Sequence, residues 1–469
     1  MKKFSCLRLK TDSMNNLFDE FDGKTISQWK EKIMSELNGK DYKDLKWKCE
    51  SGFEISPIFN KESVCNHSGE FTHNNSEWQI EQSLDTPNKK EALECLNNGA
   101  TALLIKNCSP KKIEEILKKV LIQYIETSFL SKDIINSLET FIEIVNKRNL
   151  QGEEIRGSLQ YDPLMEGLKN GQFDLELWQK FKTIQIKSNK LIGFRGLSIQ
   201  GHEYHNFGAN TCQELAFSIA QLSEYLNKQE SISSKNIQIS LGISTNYFFE
   251  IAKFRAIRLL AKQVFKAYNR EYNALQIRAE TGLRSCTMYD THVNLLRATS
   301  QSMSAALGGA NVINVNNFNQ ALKSKDINAQ RLGRNISLIL KEESYFNKVS
   351  DPSAGSYYIE YLTDKLCDKA WKLFQEIEQK GGWVKSIKEN FIQKEILKNA
   401  KQQNFYFQTG ENSLVGTNLF PNENEKIESE IEHRVKEKQN KGIDFISLRS
   451  SRLSLKMDIE RLNRENIDV

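Results

Sequence analysis

The sequence predicts an α/β protein: a (β/α)8 barrel with an N-terminal extension arm and a short helical C-terminal tail. Three observations carry that expectation. From about residue 90, short β-prone runs alternate with longer helical patterns, the rhythm of a parallel sheet joined by crossover helices. Seven such βα-like repeats can be counted and an eighth is easily missed, which is the number that closes a barrel. The intervening segments show apolar residues at the 3.6-residue helical period. An open doubly wound sheet is the alternative for the same alternation.

Residues 1–89 read as an N-terminal extension and partner-docking region. They are polar and irregular, with one helix over SQWKEKIMSEL (27–37) and short extended pieces such as FEISPIF (53–59). Residues 90–420 hold the barrel. Its strand candidates are TALLIKN (101–107), IQYIETSF (122–129), GSLQY (157–161), RGLSIQ (195–200), IQISLGI (237–243), NALQIR (273–278) and NVINV (311–315). In EIAKFRAIRLLAKQVFKAY, Ile251, Phe254, Ile257, Ala261, Val264 and Tyr268 form one helical stripe. Lys253, Arg255, Arg258, Lys262 and Lys266 lie mostly off it and are expected to be solvated. DKLCDKAWKLFQEIEQKGG repeats the pattern and ends in a Gly pair suited to a helix C-terminus. Residues 421–469 turn charged and are expected to be a helical tail rather than a domain.

The chain is 469 residues long, with 65 basic and 60 acidic residues. The two signs are mixed, so no basic patch argues for nucleic acid. No apolar run approaches the roughly 18 residues of a membrane span. The basic N-terminus, MKKFSCLRLKTDS, lacks an apolar signal core, and Met14 is an alternative start to Met1. The eight cysteines form no CxxC pair; their scatter fits a reducing, cytoplasmic compartment.

Two of the six histidines fall in GHEYHNFGAN (201–210), just after the candidate strand RGLSIQ. In a barrel, that is the end of the strand where active sites form. A metal would need at least a third ligand, which no nearby cluster supplies, so no metal is expected. GGAN (308–311) lacks phosphate-loop spacing and reads as a helix-to-strand turn. DTHVNL (290–295) reads as the start of a helix, THVNLLRATSQSMSAAL, with Asp290 as its cap.

NYFFEIAKFRAIRLL, YDTHVNLLRATSQSMSAALGGAN, AQRLGRNISLILKEES and VSDPSAGSYYIEYLTDKLCDKAWKLFQEIEQKGGW closely resemble the methylmalonyl-coenzyme A mutase family. So do GKDYKDLKWKCESGFEISPIF and QTGENSLVGTNLF, so the likeness spans most of residues 15–420. The resemblance implies a barrel whose axis accommodates an acyl-coenzyme A thioester. In catalytic members a separate domain presents adenosylcobalamin, whose homolysis starts a radical rearrangement.

This chain departs from the catalytic pattern at several positions. The family's W-x-I-R-Q-Y segment reads WQIEQS here, with Glu81 in place of the Arg and Ser83 in place of the Tyr. At the family's G-Y-H segment, His202 stands at the tyrosine's place and Glu203 at the place of the histidine that hydrogen-bonds the thioester. The T-H-S-Q-T-S substrate segment becomes IRAETG, which carries Arg278 and Glu280. An ionised carboxylate cannot donate a proton to a thioester oxygen, and it repels an anionic substrate. HEYHNFGAN itself resembles the version in non-catalytic small subunits, with His205 and Asn206 structural. No D-x-H-x-x-G cobalamin motif occurs.

The resemblance therefore implies a non-catalytic small (beta) subunit. It would bind no cofactor itself and would support a large (alpha) catalytic subunit that carries adenosylcobalamin. Ser83, His202, Glu203, Arg278 and Glu280 would mark a degenerate pocket. Two alternatives stay open: an active acyl-coenzyme A mutase barrel using a separately encoded cobalamin protein, and a stand-alone assembly protein.

Overall fold

The computed structural model describes residues 23–63, 76–229, 232–273, 275–323, 325–427 and 443–465. The chain divides into two compact units, residues 1–64 and 65–469. In the first unit, a helix spans Ile26–Glu36. It starts there because Thr25 and Gln28 form a reciprocal capping box. A two-stranded antiparallel ladder pairs Trp47–Lys48 with Glu54–Ile55.

The second unit is an all-parallel barrel. Its strands, in chain order, are β1 (Gln79–Asp85), β2 (Ala102–Lys106), β3 (Glu126–Leu130), β4 (Arg156–Ser158), β5 (Gly193–Arg195 and, past Gly196, Leu197–Gln200), β6 (Ile237–Ile243), β7 (Gln276–Thr281) and β8 (Val312–Asn314). The ladder runs from β5 through β4, β3, β2, β1, β8, β7 and β6 back to β5. Both ends of that order are parts of one strand, interrupted at Gly196. The first part pairs with β4 (Arg156↔Gly193) and the second with β6 (Leu197↔Ile237). Eight strands therefore close on themselves and leave no free edge.

Strand side chains alternate between two environments. Outward-facing Leu84, Leu103, Ile105 and Phe129 pack into the apolar layer beneath the surrounding helices. The other face turns into the barrel and is mainly polar, with Ala102 and Leu104 of β2 and Val312 of β8 among its buried apolar members. That explains the strand missing from the sequence count: β1 reads QIEQSLD because its own inward positions are Gln79, Glu81, Ser83 and Asp85. The barrel thus begins before residue 90, inside the stretch expected as an extension.

The helix Tyr247–Ala267 corrects another expectation. Lys253 and Arg255 are each only 1% exposed. Lys253 pairs with Glu214 at 2.8 Å and Glu250 at 2.6 Å, and Arg255 pairs with Asp351 and with Glu360 at 2.7 Å. Arg258 donates to the carbonyl oxygens of Leu275 and Gly309. Apart from Glu250, one turn before Lys253, these ion-pair partners lie tens of residues away, where apolar periodicity cannot register them; of the five basic residues only Lys262 and Lys266 are exposed. Asp290 occupies the N-cap position of the helix Thr291–Leu307, but in the left-handed region (φ 48°) and without a side-chain cap. Its N–H instead donates to Glu425.

Gly309 (φ 84°) makes the turn into β8, and Gly381 and Gly382 end the helix Tyr357–Gln379 as expected. Most of the charged run 423–442 lies outside the described residues. Beyond it, residues 443–454 are irregular, with bends at 443–445 and a turn at 453–454, and Leu455–Arg464 is helical. Among the described residues no helix is long and apolar enough to cross a membrane.

Candidate functional site

Much of the inner wall of the barrel is a polar network. Ser128 and Ser158 hydroxyls lie 2.9 Å apart, and Gln160 donates to Ser158 at 3.0 Å. Ser198 donates to Gln160 at 3.0 Å, and Gln238 donates to Ser198 at 2.9 Å. Lower in the barrel, Gln276 donates to the Glu126 carboxylate. Bulky branched side chains usually fill such an interior. Here hydroxyls and amides line the side formed by β3, β4, β5 and β6 and satisfy one another, while Leu104 of β2 and Val312 of β8 are apolar members of the same interior.

Arg278 sits at the centre. It projects inward from β7, is 1% exposed, and holds Glu81 of β1 through Nε (2.8 Å) and Nη2 (2.5 Å). Its Nη1 reaches Glu280 at 2.6 Å. Asn316 donates to the other Glu280 oxygen at 3.1 Å. Burial disfavours the charge on Arg278, but the two carboxylates more than offset it, so its pKa is raised. Burial likewise opposes the charge on Glu280, and Arg278 overrides it to hold that carboxyl well below the usual range. This buried ion triad bridges β7 and β1 inside the barrel.

His202 and Glu203 lie in the short helix Gly201–Phe207, directly after β5. Burial lowers the His202 pKa against the pull of Glu280 and Glu203, so the ring is neutral at neutral pH. Its Nδ1 is buried and makes no hydrogen bond to a described residue. Glu203 bonds Lys169 Nζ at 2.6 Å, and Ser450 Oγ donates to it at 3.2 Å. Burial would raise the Glu203 pKa; Lys169 outweighs it, with help from His202, and the net shift is downward. Glu203 is therefore an anion with a fixed partner and has no proton to donate.

The Ser83 hydroxyl is buried without a partner among the described residues. It lies on β1 two residues beyond Glu81, so both project inward by the strand period. Of the sequence-selected positions, Ser83, Arg278 and Glu280 line the wall, and His202 couples electrostatically to Glu280, Glu203 and Arg278. Sequence reasoning missed Lys169 and Ser450. Nothing in the local pattern distinguishes either from a surface residue.

His205 is a wedge between strands. A Cβ added to Gly242 of β6 would meet the His205 Cβ at 2.8 Å, and one added to Gly282 after β7 would meet its Nε2 at 2.3 Å. Asn206 accepts the Leu283 N–H at 3.0 Å. Both residues thus tie the post-β5 helix to β6 and β7. His292 is exposed and its ring stacks on Phe318 at 5.2 Å. Among the described residues no group of three or more His, Cys, Asp or Glu side chains is placed to hold a metal ion. The six described cysteines are free thiols.

A closed eight-stranded α/β barrel with polar groups near the C-terminal strand ends is a scaffold on which enzyme sites form at that rim. The chain belongs to the methylmalonyl-CoA mutase family, whose model matches residues 99–465. β1, with Glu81 and Ser83, lies before that match. The chain is similar to the methylmalonyl-CoA mutase small subunit of Porphyromonas gingivalis, at 31% identity over 440 residues, covering 87% of this chain and 71% of that one. It is also similar to the small subunit of Propionibacterium freudenreichii subsp. shermanii, at 28% identity, covering 68% and 52%. Its likeness to the methylmalonyl-CoA mutase of Rhizobium meliloti, at 30% identity, covers 62% of this chain and 43% of that one. The chain thus spans less than half the length of that mutase.

Proposed function

We propose that this chain is the non-catalytic small subunit of a heterodimeric, adenosylcobalamin-dependent methylmalonyl-CoA mutase, an isomerase that interconverts methylmalonyl- and succinyl-CoA. Its role is to support a catalytic large subunit in a bacterial cytoplasm. The observation that carries this reading is Arg278, locked inside the barrel between Glu81 and Glu280. A buried ion triad there takes up space inside the barrel and engages the arginine with protein carboxylates rather than with a thioester chain. The group at the rim that would meet a thioester carbonyl is the anionic Glu203. Losing one positioned hydrogen-bond or acid–base group costs about 10²–10⁴-fold in rate, and several positions differ together here.

The residues do not fit the cobalamin cofactor either. His292, the histidine in the segment most like an axial-ligand motif, begins a helix against Phe318, with Leu295 where the motif has Gly. The cofactor is assigned to the partner.

Co-expression with a chain resembling the large subunit tests the reading. A stable complex is expected, with turnover that depends on the large chain's site and no turnover by this chain mixed with adenosylcobalamin and a free cobalamin-binding protein. Turnover by that mixture would establish instead an active barrel served by a separate cobalamin protein. Failure to form any complex would overturn the subunit role.

A further inference from the structure

Residues 443–454 run along the C-terminal rim of the barrel. Each of their backbone partners lies in a segment joining a strand's C-terminal end to its outer helix. After β4, Gly171 O accepts from the N–H of Asp444 and Phe445 at 3.0 and 3.2 Å, and Leu168 O accepts from Leu448 at 3.4 Å. After β5, Asn206 O accepts from Ser451 N–H at 3.0 Å. After β7, Arg284 O accepts from Leu453 N–H at 2.9 Å, and the Arg284 side chain returns to Ser451 Oγ at 2.7 Å.

Apolar anchors accompany these bonds. Phe445 (4% exposed) stacks on Phe173 at 4.9 Å, and Leu448 is 1% exposed. Leu462, on the helix that follows, is fully buried in a small cluster with Cys286, Met288, Tyr289, Ala321 and Leu322 from the post-β7 and post-β8 segments. The path crosses four of the eight strand-end connections, and none of these bonds is to a barrel strand.

We propose that residues 443–465 form a strap that closes the C-terminal rim and clamps the Gly201–Phe207 helix, and that it can be released as a unit without unfolding the barrel. Closed, the strap sets Ser450 against Glu203 and covers the approach to the wall where Arg278 and Glu280 sit. Any molecule that would occupy this part of the rim must first displace the strap. The inference rests on the rim contacts alone and does not depend on the subunit role.

The test uses the full chain with a protease site introduced between residues 430 and 440. After cleavage, the fragment carrying the strap is expected to stay with the barrel in gel filtration. In the cleaved Leu448→Asp variant it is expected to leave. Amide exchange over residues 201–207 and 283–286 should then accelerate about tenfold or more, while β6 stays protected. As a second measurement, a wild-type peptide of residues 443–465 added in excess to the barrel of the cleaved Leu448→Asp variant should bind and restore slow exchange. Three outcomes would overturn the proposal: loss of the fragment from the cleaved wild-type chain, loss of the strap without faster exchange at residues 201–207, or loss of β6 protection together with the strap.

Discussion

Arg278 and Glu81 meet inside the barrel although their strands, β7 and β1, are not neighbours; β8 lies between them. The pair therefore ties β7 to β1 over the inner face of β8 rather than through the sheet's own ladder. Removing the arginine alone strands two buried carboxylates, so Arg278→Met is expected to destabilise the protein by about 3–5 kcal/mol. Replacing all three groups (Glu81→Gln, Arg278→Met, Glu280→Gln) should recover most of that loss, because buried ion clusters repay little more than their desolvation. Urea unfolding of the two variants decides it. A triple variant no more stable than the single one would show that the charges themselves hold the barrel together.

A second prediction concerns pH. Burial pushes the Glu214 carboxyl up to about 7; Glu250 adds to the shift and Lys253 opposes it. Burial, then Lys253, Arg284 and His202, hold the His205 pKa down to about 3. The signs oppose. A raised carboxyl contributes stability below its unfolded pKa of 4.5 that is lost as pH rises through 7. A depressed histidine contributes stability above 6.5 that is lost as pH falls toward 3. Between pH 4.5 and 6.5 the two partly cancel. Glu214→Gln should remove one limb, so that unfolding free energy falls more steeply with acid in that window than in the wild type. An unchanged slope would mean that Glu214 is ionised throughout.

These buried charges also mark where sequence reading works and where it stops. IQISLGI was legible as β6 because Ile237, Ile239, Leu241 and Ile243 face an apolar helical layer, giving a run with strong β propensity. QIEQSLD was not counted as a strand because half of its side chains face a polar lumen, and alternation against a polar core looks like a loop. Lys253 and Arg255 read as a solvated face because their partners, Glu214 and Glu360, lie far away in sequence. The candidate positions Ser83, His202, Glu203, Arg278 and Glu280 came from departures within family segments. Their wiring to Glu81, Lys169, Asn316 and Ser450 exists only in three dimensions.

A third prediction tests the His205 wedge. Gly282→Ala places a methyl group 2.3 Å from His205 Nε2, closer than the packing tolerates. Overpacking of this kind costs about 1–3 kcal/mol. Truncating the ring relieves its part of the clash, leaving the 2.8 Å approach to the Ile243 carbonyl oxygen, so the double variant Gly282→Ala, His205→Ala should be less destabilised than the sum of the two single changes. A thermal-unfolding double-mutant cycle measures the coupling. Strict additivity would show that the post-β5 helix shifts to accommodate the methyl group and that the ring does not pin it.

The fourth prediction asks whether the rim can be restored one residue at a time. Glu203→His places an imidazole where the catalytic family pattern has one. The change also leaves Lys169 without its 2.6 Å partner and removes the acceptor of Ser450. Neither consequence removes the other departures. Arg278 stays paired inside the barrel with Glu81 and Glu280, and Ser83 still presents a short hydroxyl where the family pattern has a tyrosine. Each misplaced group carries its own penalty of about 10²–10⁴-fold. Glu203→His is therefore expected to give no detectable succinyl-CoA from methylmalonyl-CoA, whether assayed alone with adenosylcobalamin and a cobalamin-binding protein or against the background of an inactivated large subunit. Product formation above that background from this one substitution would mean that the remaining departures do not bar turnover.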